Sequence, residues 1–210
     1  NAQSWNEGHI SAAFFDFDND GLLDLIVMDS DYPDTRVRLY RQKADHTFEE
    51  LASKAGIAQP VGQQVTVADF DADGDLDVVM GTSTARGLAK RDQVRFYENT
   101  LGNSRNWLQV KLVGSGAGGA NKAAIGAKVF VETDAGRQVR EVSGGYGHFG
   151  MQHDLLLHFG LGDACEIKKL EVHWPDAKGS VTTFTRVRPN YRLRIEQTSG
   201  AEATLKHETL

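Results

Sequence analysis

Two stretches of this chain repeat one arrangement of carboxylates: Asp16, Asp18, Asp20 and Asp24, then Asp69, Asp71, Asp73 and Asp77. In each, the acids occupy the first, third, fifth and ninth positions, and a glycine, Gly21 or Gly74, holds the sixth. Alternate side chains of a tight turn converge on a point, and a hard divalent cation takes six to eight oxygens at such a point. Glycine permits the sharp backbone turn that the convergence requires. The seventh position is Leu22 in one copy and Asp75 in the other, as expected where the backbone carbonyl is the ligand. The spacing therefore predicts two calcium ions, one held by Asp16, Asp18, Asp20, Leu22 and Asp24, the other by Asp69, Asp71, Asp73, Asp75 and Asp77.

Two other readings of these acids exist. An EF-hand needs a bidentate glutamate at the twelfth position and a helix on each side, but the twelfth positions here are Val27 and Met80. Short β-branched runs, residues 25–28 and 78–80, follow each ninth aspartate and read as buried strands. The loops thus join strand to strand. The plainer reading is an acidic solvated turn that binds nothing; close carboxylates repel by roughly a few kcal/mol per pair at an effective dielectric of about 20, so two matching copies without a cation are costly.

The elements that must position these loops form two different halves. Residues 1–99 carry 9 Lys+Arg against 18 Asp+Glu, whereas residues 100–196 carry 13 against 9. No clustered basic run points to nucleic acid. No stretch approaches the roughly 18 consecutive apolar residues of a membrane span. Cys165 is the only cysteine, which excludes an internal disulfide and leaves a lone thiol of the kind most often buried as a small apolar residue.

The loops lie 53 residues apart, and the pairs Leu39-Tyr40 and Phe96-Tyr97 that follow them lie 57 apart. Several short strands repeating with a period near 50 are the pattern of β-propeller blades. Two blades cannot close a ring, so the expectation is either further blades upstream or packing on a partner chain. From residue 101 the pattern changes. Residues 107–113 alternate as a strand, residues 125–133 and 137–142 form a hairpin about Asp134-Ala135-Gly136, and further strands are expected near 155–162, 167–174, 181–187 and 191–195. The expected organisation is all-β: residues 1–100 as two propeller-type repeats, 101–196 as a compact antiparallel β-domain, and 197–210 as a polar, disordered tail or linker.

The first half resembles the FG-GAP or VCBS type of repeat, on the Asp-x-Asp-x-Asp-Gly-x-x-Asp core with strands on either side. The second resembles the ASPIC/UnbV domain, on Ile125-Gly126-Ala127, Arg140-Glu141-Val142, Gly144-Gly145-Tyr146, His158-Phe159-Gly160-Leu161-Gly162 and Val172-His173-Trp174-Pro175. This pairing of domains is that of the cartilage acidic protein family and its bacterial relatives. The resemblance implies a calcium-binding module that is extracellular, on the cell surface or periplasmic.

Other chemistry-bearing residues are His148, His153, Asp154 and His158, which could ligate a transition metal or serve acid-base catalysis, although their spacing suits neither a helix nor one strand face. A core imidazole bonded to backbone is the alternative for His158. The glycine-rich residues 114–122 lack the Ser/Thr and helix of a phosphate loop and read as a mobile turn. Arg186, Arg188, Arg192 and Arg194 could form one basic face of one hairpin. The leading functional expectation is a module for adhesion, matrix interaction or assembly, with calcium structural and a protein or glycan partner. An enzyme with a site in loop 144–158 or in a missing N-terminal part, and a self-assembling fibre or sheath subunit, are the alternatives.

Overall fold

The computed structural model describes residues 9–29, 36–59, 62–82, 84, 91–144 and 152–208. Every regular element among them is a strand. In the first half, β1 (His9–Phe15), β2 (Asp24–Asp29), β3 (Arg38–Gln42) and β4 (Phe48–Glu50) form one antiparallel sheet in chain order. β5 (Gln64–Ala68), β6 (Asp77–Thr82) and β7 (Gln93–Tyr97) form a second. Alternation decides the facing: Ala13 and Phe15 point inward while Phe14 between them is exposed, and Val65 and Val67 repeat this on β5. The Ser11 hydroxyl accepts the Val65 N–H at 3.2 Å. Phe15, Ile26, Met28 and Leu39 of one sheet share a core with Val65, Val67, Val78 and Met80 of the other. Each aspartate loop joins the first two strands of its sheet, as the flanking β-branched runs predict.

The second half is a sandwich. One sheet has the order β10 (Gly136–Glu141), β9 (Lys128–Thr133), β12 (Ile167–His173), β13 (Val181–Val187). Its mate has the order β11 (Leu157–Gly162), β8 (Asn106–Val113), β14 (Tyr191–Ser199), β15 (Glu202–Glu208). Leu108, Val110, Phe159, Leu193 and Ile195 of the latter meet Val129, Val131, Leu170 and Val172 of the former in one core. Pairing is antiparallel except between β14 and β8, which run parallel. That pair is pinned at its start by Asn190, whose side-chain oxygen accepts the Trp107 N–H at 3.0 Å and whose own N–H donates to the Trp107 carbonyl at 2.7 Å.

Four expectations are corrected here. Residues 197–208 are not a disordered tail: β14 continues to Ser199 and β15 pairs back along it, with Ala203 and Leu205 packed on the core. The glycine-rich turn is fastened to that same strand, since the Gln197 side-chain oxygen accepts the N–H groups of Ser115 and Ala120 at 3.3 and 2.9 Å. The four arginines do not share a hairpin, because the chain changes sheets between β13 and β14; Arg192 donates to Gln109 and Arg194 to Glu196. Cys165, expected to be buried, is exposed.

Candidate metal centres

Among the described residues, two groups bring three carboxylates together with their oxygens within 4.8 Å of one another: Asp16, Asp18 and Asp24, and Asp69, Asp71 and Asp77. These are the first, third and ninth positions of the two loops. Each loop is shaped by backbone N–H groups closing onto its own acids. In the first, Asp16 accepts from Asp20 N at 3.0 Å and Gly21 N at 2.7 Å; in the second, Asp69 accepts from Gly74 N at 3.2 Å. Both sixth-position glycines have left-handed backbone, φ 92° at Gly21 and 95° at Gly74, where a side chain is strained.

The ninth aspartates are held identically. Asp24 accepts from Phe17 N at 3.1 Å and Gln42 N at 2.8 Å, and Asp77 from Phe70 N at 3.0 Å and Asn99 N at 2.8 Å. One donor comes from the loop's second residue and the other from the end of the third strand, at its last residue in Gln42 and two residues past it in Asn99. The 57-residue offset of the later strands is thus a structural equivalence of Gln42 with Asn99. Both oxygens of each ninth carboxylate are oriented before any ion arrives, and each keeps a lone pair for one.

The fifth and seventh positions stand apart from these triads. Asp20 accepts Leu22 N at 2.8 Å, and Asp73 accepts Asp75 N at 3.1 Å. Arg41 reaches Asp18 at 2.5 Å and Asp20 at 3.3 Å, while Arg105 reaches Asp18 at 3.2 Å. Asp75 turns its side chain into the protein, accepting Gly102 N at 3.2 Å, and its other oxygen is buried with no hydrogen-bond partner.

Burial is the main electrostatic fact of both sites. It pushes Asp16 up to about 7, against the opposing Gly21 N–H, and Asp24 up to about 8, against the N–H groups of Gln42 and Phe17. Asp75 rises to about 8 through burial and then its neighbours Asp73 and Asp77. Asp18, Asp69 and Asp77 are raised as well, chiefly by burial. Carboxylates gathered away from water resist ionisation unless a cation is supplied. An all-oxygen donor set with no imidazole or thiolate suits a hard cation over zinc or copper.

Asn19, at the fourth position of the first loop, joins both loops to the sandwich. It is fully buried, with φ 55°. Its amide nitrogen donates to the carbonyls of Gly74 at 3.1 Å and Gly102 at 3.3 Å, and its oxygen lies 2.7 Å from His158 Nε2. Because the amide nitrogen faces two carbonyls, the oxygen must accept, so the proton of His158 is on Nε2. Burial, and then Arg140, push His158 down to about 3, so the ring is neutral. The Asn19 carbonyl accepts Gly162 N at 2.8 Å. Gly160 lies so near that a Cβ there would fall 2.1 Å from Asp16 Oδ2, and one at Gly74 would fall 1.9 Å from the Trp107 indole. The Gln109 amide donates to Asp69 at 2.6 Å.

Among the described residues, the histidines do not form a centre. His148 lies outside the described residues, His158 is bonded to Asn19, and His153 Nδ1 accepts from Val67 N at 3.5 Å. Sequence reasoning missed Asn19, Asn99, Gln109, Arg41 and Arg105. Only Asn19 carried a local signal, an asparagine at the left-handed fourth position where the second loop has Ala72, φ 66°.

Residues 16–80 match the family of FG-GAP-like repeats, and residues 116–202 match the family described as ASPIC and UnbV. The chain thus carries one segment similar to FG-GAP-like repeats followed by one similar to ASPIC and UnbV. It is similar to cartilage acidic protein 1 of Mus musculus, 33% identical over 171 residues that cover 78% of this chain and 25% of that protein. The Xenopus tropicalis protein of the same name is 33% identical over 179 residues, 81% of this chain and 25% of its own. The Homo sapiens protein is 33% identical over 171 residues, 78% and 24% respectively. The chain thus spans about a quarter of the length of the curated relatives it matches. Among the described residues, no helix is long and apolar enough to cross a membrane.

Proposed function

We propose that this chain is a calcium-dependent structural module of an extracellular or surface protein, acting in adhesion, matrix interaction or assembly. The observation that supports it best is the pair of preoriented aspartate triads, Asp16, Asp18 and Asp24 with Asp69, Asp71 and Asp77. Each would hold one calcium ion, the backbone carbonyls of Leu22 and Asp75 and the carboxylates of Asp20 and Asp73 completing the set as in the sequence pattern. The ions would supply positive charge where burial opposes carboxylate ionisation, and would lock the loops onto the sandwich through Asn19 and Gln109. The similarity to cartilage acidic protein 1 supports the extracellular setting. Calcium at a hundredfold excess over Kd adds about 2.7 kcal/mol to stability for one site. Thermal melts in calcium and in chelator test this: the midpoint rises with calcium, and an unchanged midpoint sinks the reading.

A further inference from the structure

A cleft of about 150 Å³ lies where the two loop-entering strands meet the sandwich, lined among others by Phe14, Asp16, Asp69, Arg140, Leu156 and His158. Cavities of that size take a benzene-sized molecule. Among the described residues that line it, Arg140 is the one guanidinium. The side chain is fixed from several directions: Nη1 donates to the Val139 carbonyl at 3.0 Å, Nη2 donates to Gln138 Oε1 at 3.1 Å, and the guanidinium carbon sits 5.3 Å from the centre of the buried Phe159 ring. Gln138 is itself anchored, donating to the Gly160 carbonyl at 2.7 Å.

Among the described residues, Arg140 has no carboxylate within ion-pair distance. The acids around the cleft are otherwise engaged. Glu141 pairs with Lys128 at 3.6 Å and Asp154 with Lys111 at 3.8 Å, both at the exposed rim, while Asp16 and Asp69 belong to the candidate metal centres. His158, one of several polar groups of the wall with Gln109, Ser143 and His153, is only 8% exposed, and its Nδ1 has no hydrogen-bond partner. With Nε2 carrying the proton, Nδ1 offers only a lone pair and no hydrogen bond to a carboxylate, which leaves Arg140 as the donor. A preoriented guanidinium with spare N–H donors in a partly apolar cleft, acted on by Asp16 at longer range but held in no ion pair, is the arrangement that recognises a carboxylate through two parallel hydrogen bonds.

We infer that this junction cleft binds a carboxylate, either a small free acid or an acidic side chain presented by a partner, with Arg140 as its anchor. The inference rests on the proposed ion binding in one respect. Cations in the two loops would offset the charge of Asp16 and Asp69, leaving Arg140 to dominate the cleft, so that carboxylate binding strengthens with calcium.

The test is an NMR titration of the full chain with acetate, with the uncharged acetamide, and with a blocked tripeptide centred on aspartate, each in calcium and in chelator. Acetate is expected to bind with Kd on the order of a millimolar, shifting signals of residues 138–141 and 158, while acetamide does not. Arg140→Gln should weaken acetate at least tenfold and leave the calcium-induced rise in melting midpoint intact. Arg140→Lys, which keeps charge without the two-pronged geometry, should fall between. Tighter binding of the peptide than of acetate assigns the cleft to a partner's acidic residue, and equal or weaker binding assigns it to a free acid. Acetate acting no differently from acetamide, or equally on the Arg140→Gln protein, overturns the inference even if calcium still raises the midpoint. A midpoint unmoved by calcium counts against the ion reading instead, and the chelator titration then decides the role of Arg140 alone.

Discussion

Replacing Asn19 by alanine removes a side chain that ties the first loop to both the second loop and the sandwich. Three hydrogen bonds go: those to the carbonyls of Gly74 and Gly102, and the one accepted from His158. Each is worth about 1 kcal/mol net, and the buried His158 N–H left without an acceptor adds about 1 to 3 kcal/mol. Alanine at φ 55° costs about 1 kcal/mol more in left-handed strain. The total is roughly 5 to 7 kcal/mol, which for a chain of this size lowers the melting midpoint by about 10 °C or more. Asn19→Gly separates the two contributions, since glycine keeps the backbone conformation and should recover about 1 kcal/mol of the loss. Melts of both variants in chelator measure the connection itself, and melts in calcium show whether the ions compensate for it. An Asn19→Ala protein melting within about 2 °C of wild type would refute the reasoning, since the network would then carry no energy.

Three other outcomes follow from the same geometry. Asp16 and Asp24 bind protons in the folded, metal-free state up to about 7 and 8, well above the unfolded range near 4. The folded state therefore holds more protons between those limits, and in chelator the melting midpoint should fall as pH rises from 5 to 8, whereas the gain from calcium should grow over the same interval. Asp71 is an exposed member of the second triad, so Asp71→Asn should change stability in chelator by under about 1 kcal/mol while removing part of the calcium-induced rise in midpoint; calorimetric titration checks the lost site. Gln197→Ala should release the glycine-rich turn, costing about 2 to 3 kcal/mol, and hydrogen exchange at Ser115 and Ala120 should accelerate ahead of the surrounding strands.

The aspartate loops were legible because their information is local: spacing, a glycine and the strands on either side lie within a dozen residues, and repetition rules out accident. The features that escaped depend on contacts distant in sequence. Nothing near Gln197 says that it closes a turn some 80 residues earlier. Residues 203 and 205 offer only Ala and Leu as inward positions in an otherwise polar run, too weak an alternation to announce β15. The arginine pairs at 186–188 and 192–194 read as one hairpin because a Pro-Asn corner normally returns a strand to its neighbour. Here Asn190 clamps to Trp107 and sends the chain to the other sheet. Cys165 lies between β11 and β12, in a connection whose exposure composition alone does not reveal.

The parallel joining of β14 to β8 has a consequence for how the molecule is made. Tyr191 pairs with Leu108 and Glu196 with Val113, so β8 has no neighbour on that side until the chain has been synthesised through β14. The first loop waits nearly as long, because Asn19 finds the last of its partners only when His158 and Gly162 emerge. During vectorial synthesis the repeats can form their local hairpins early, but their acidic loops stay unsupported until the sandwich closes over them, and such distant pairings form slowly. A nascent chain in a calcium-rich compartment would have cations to steady those loops through that interval. The ions would then serve the assembling polypeptide as much as the finished one.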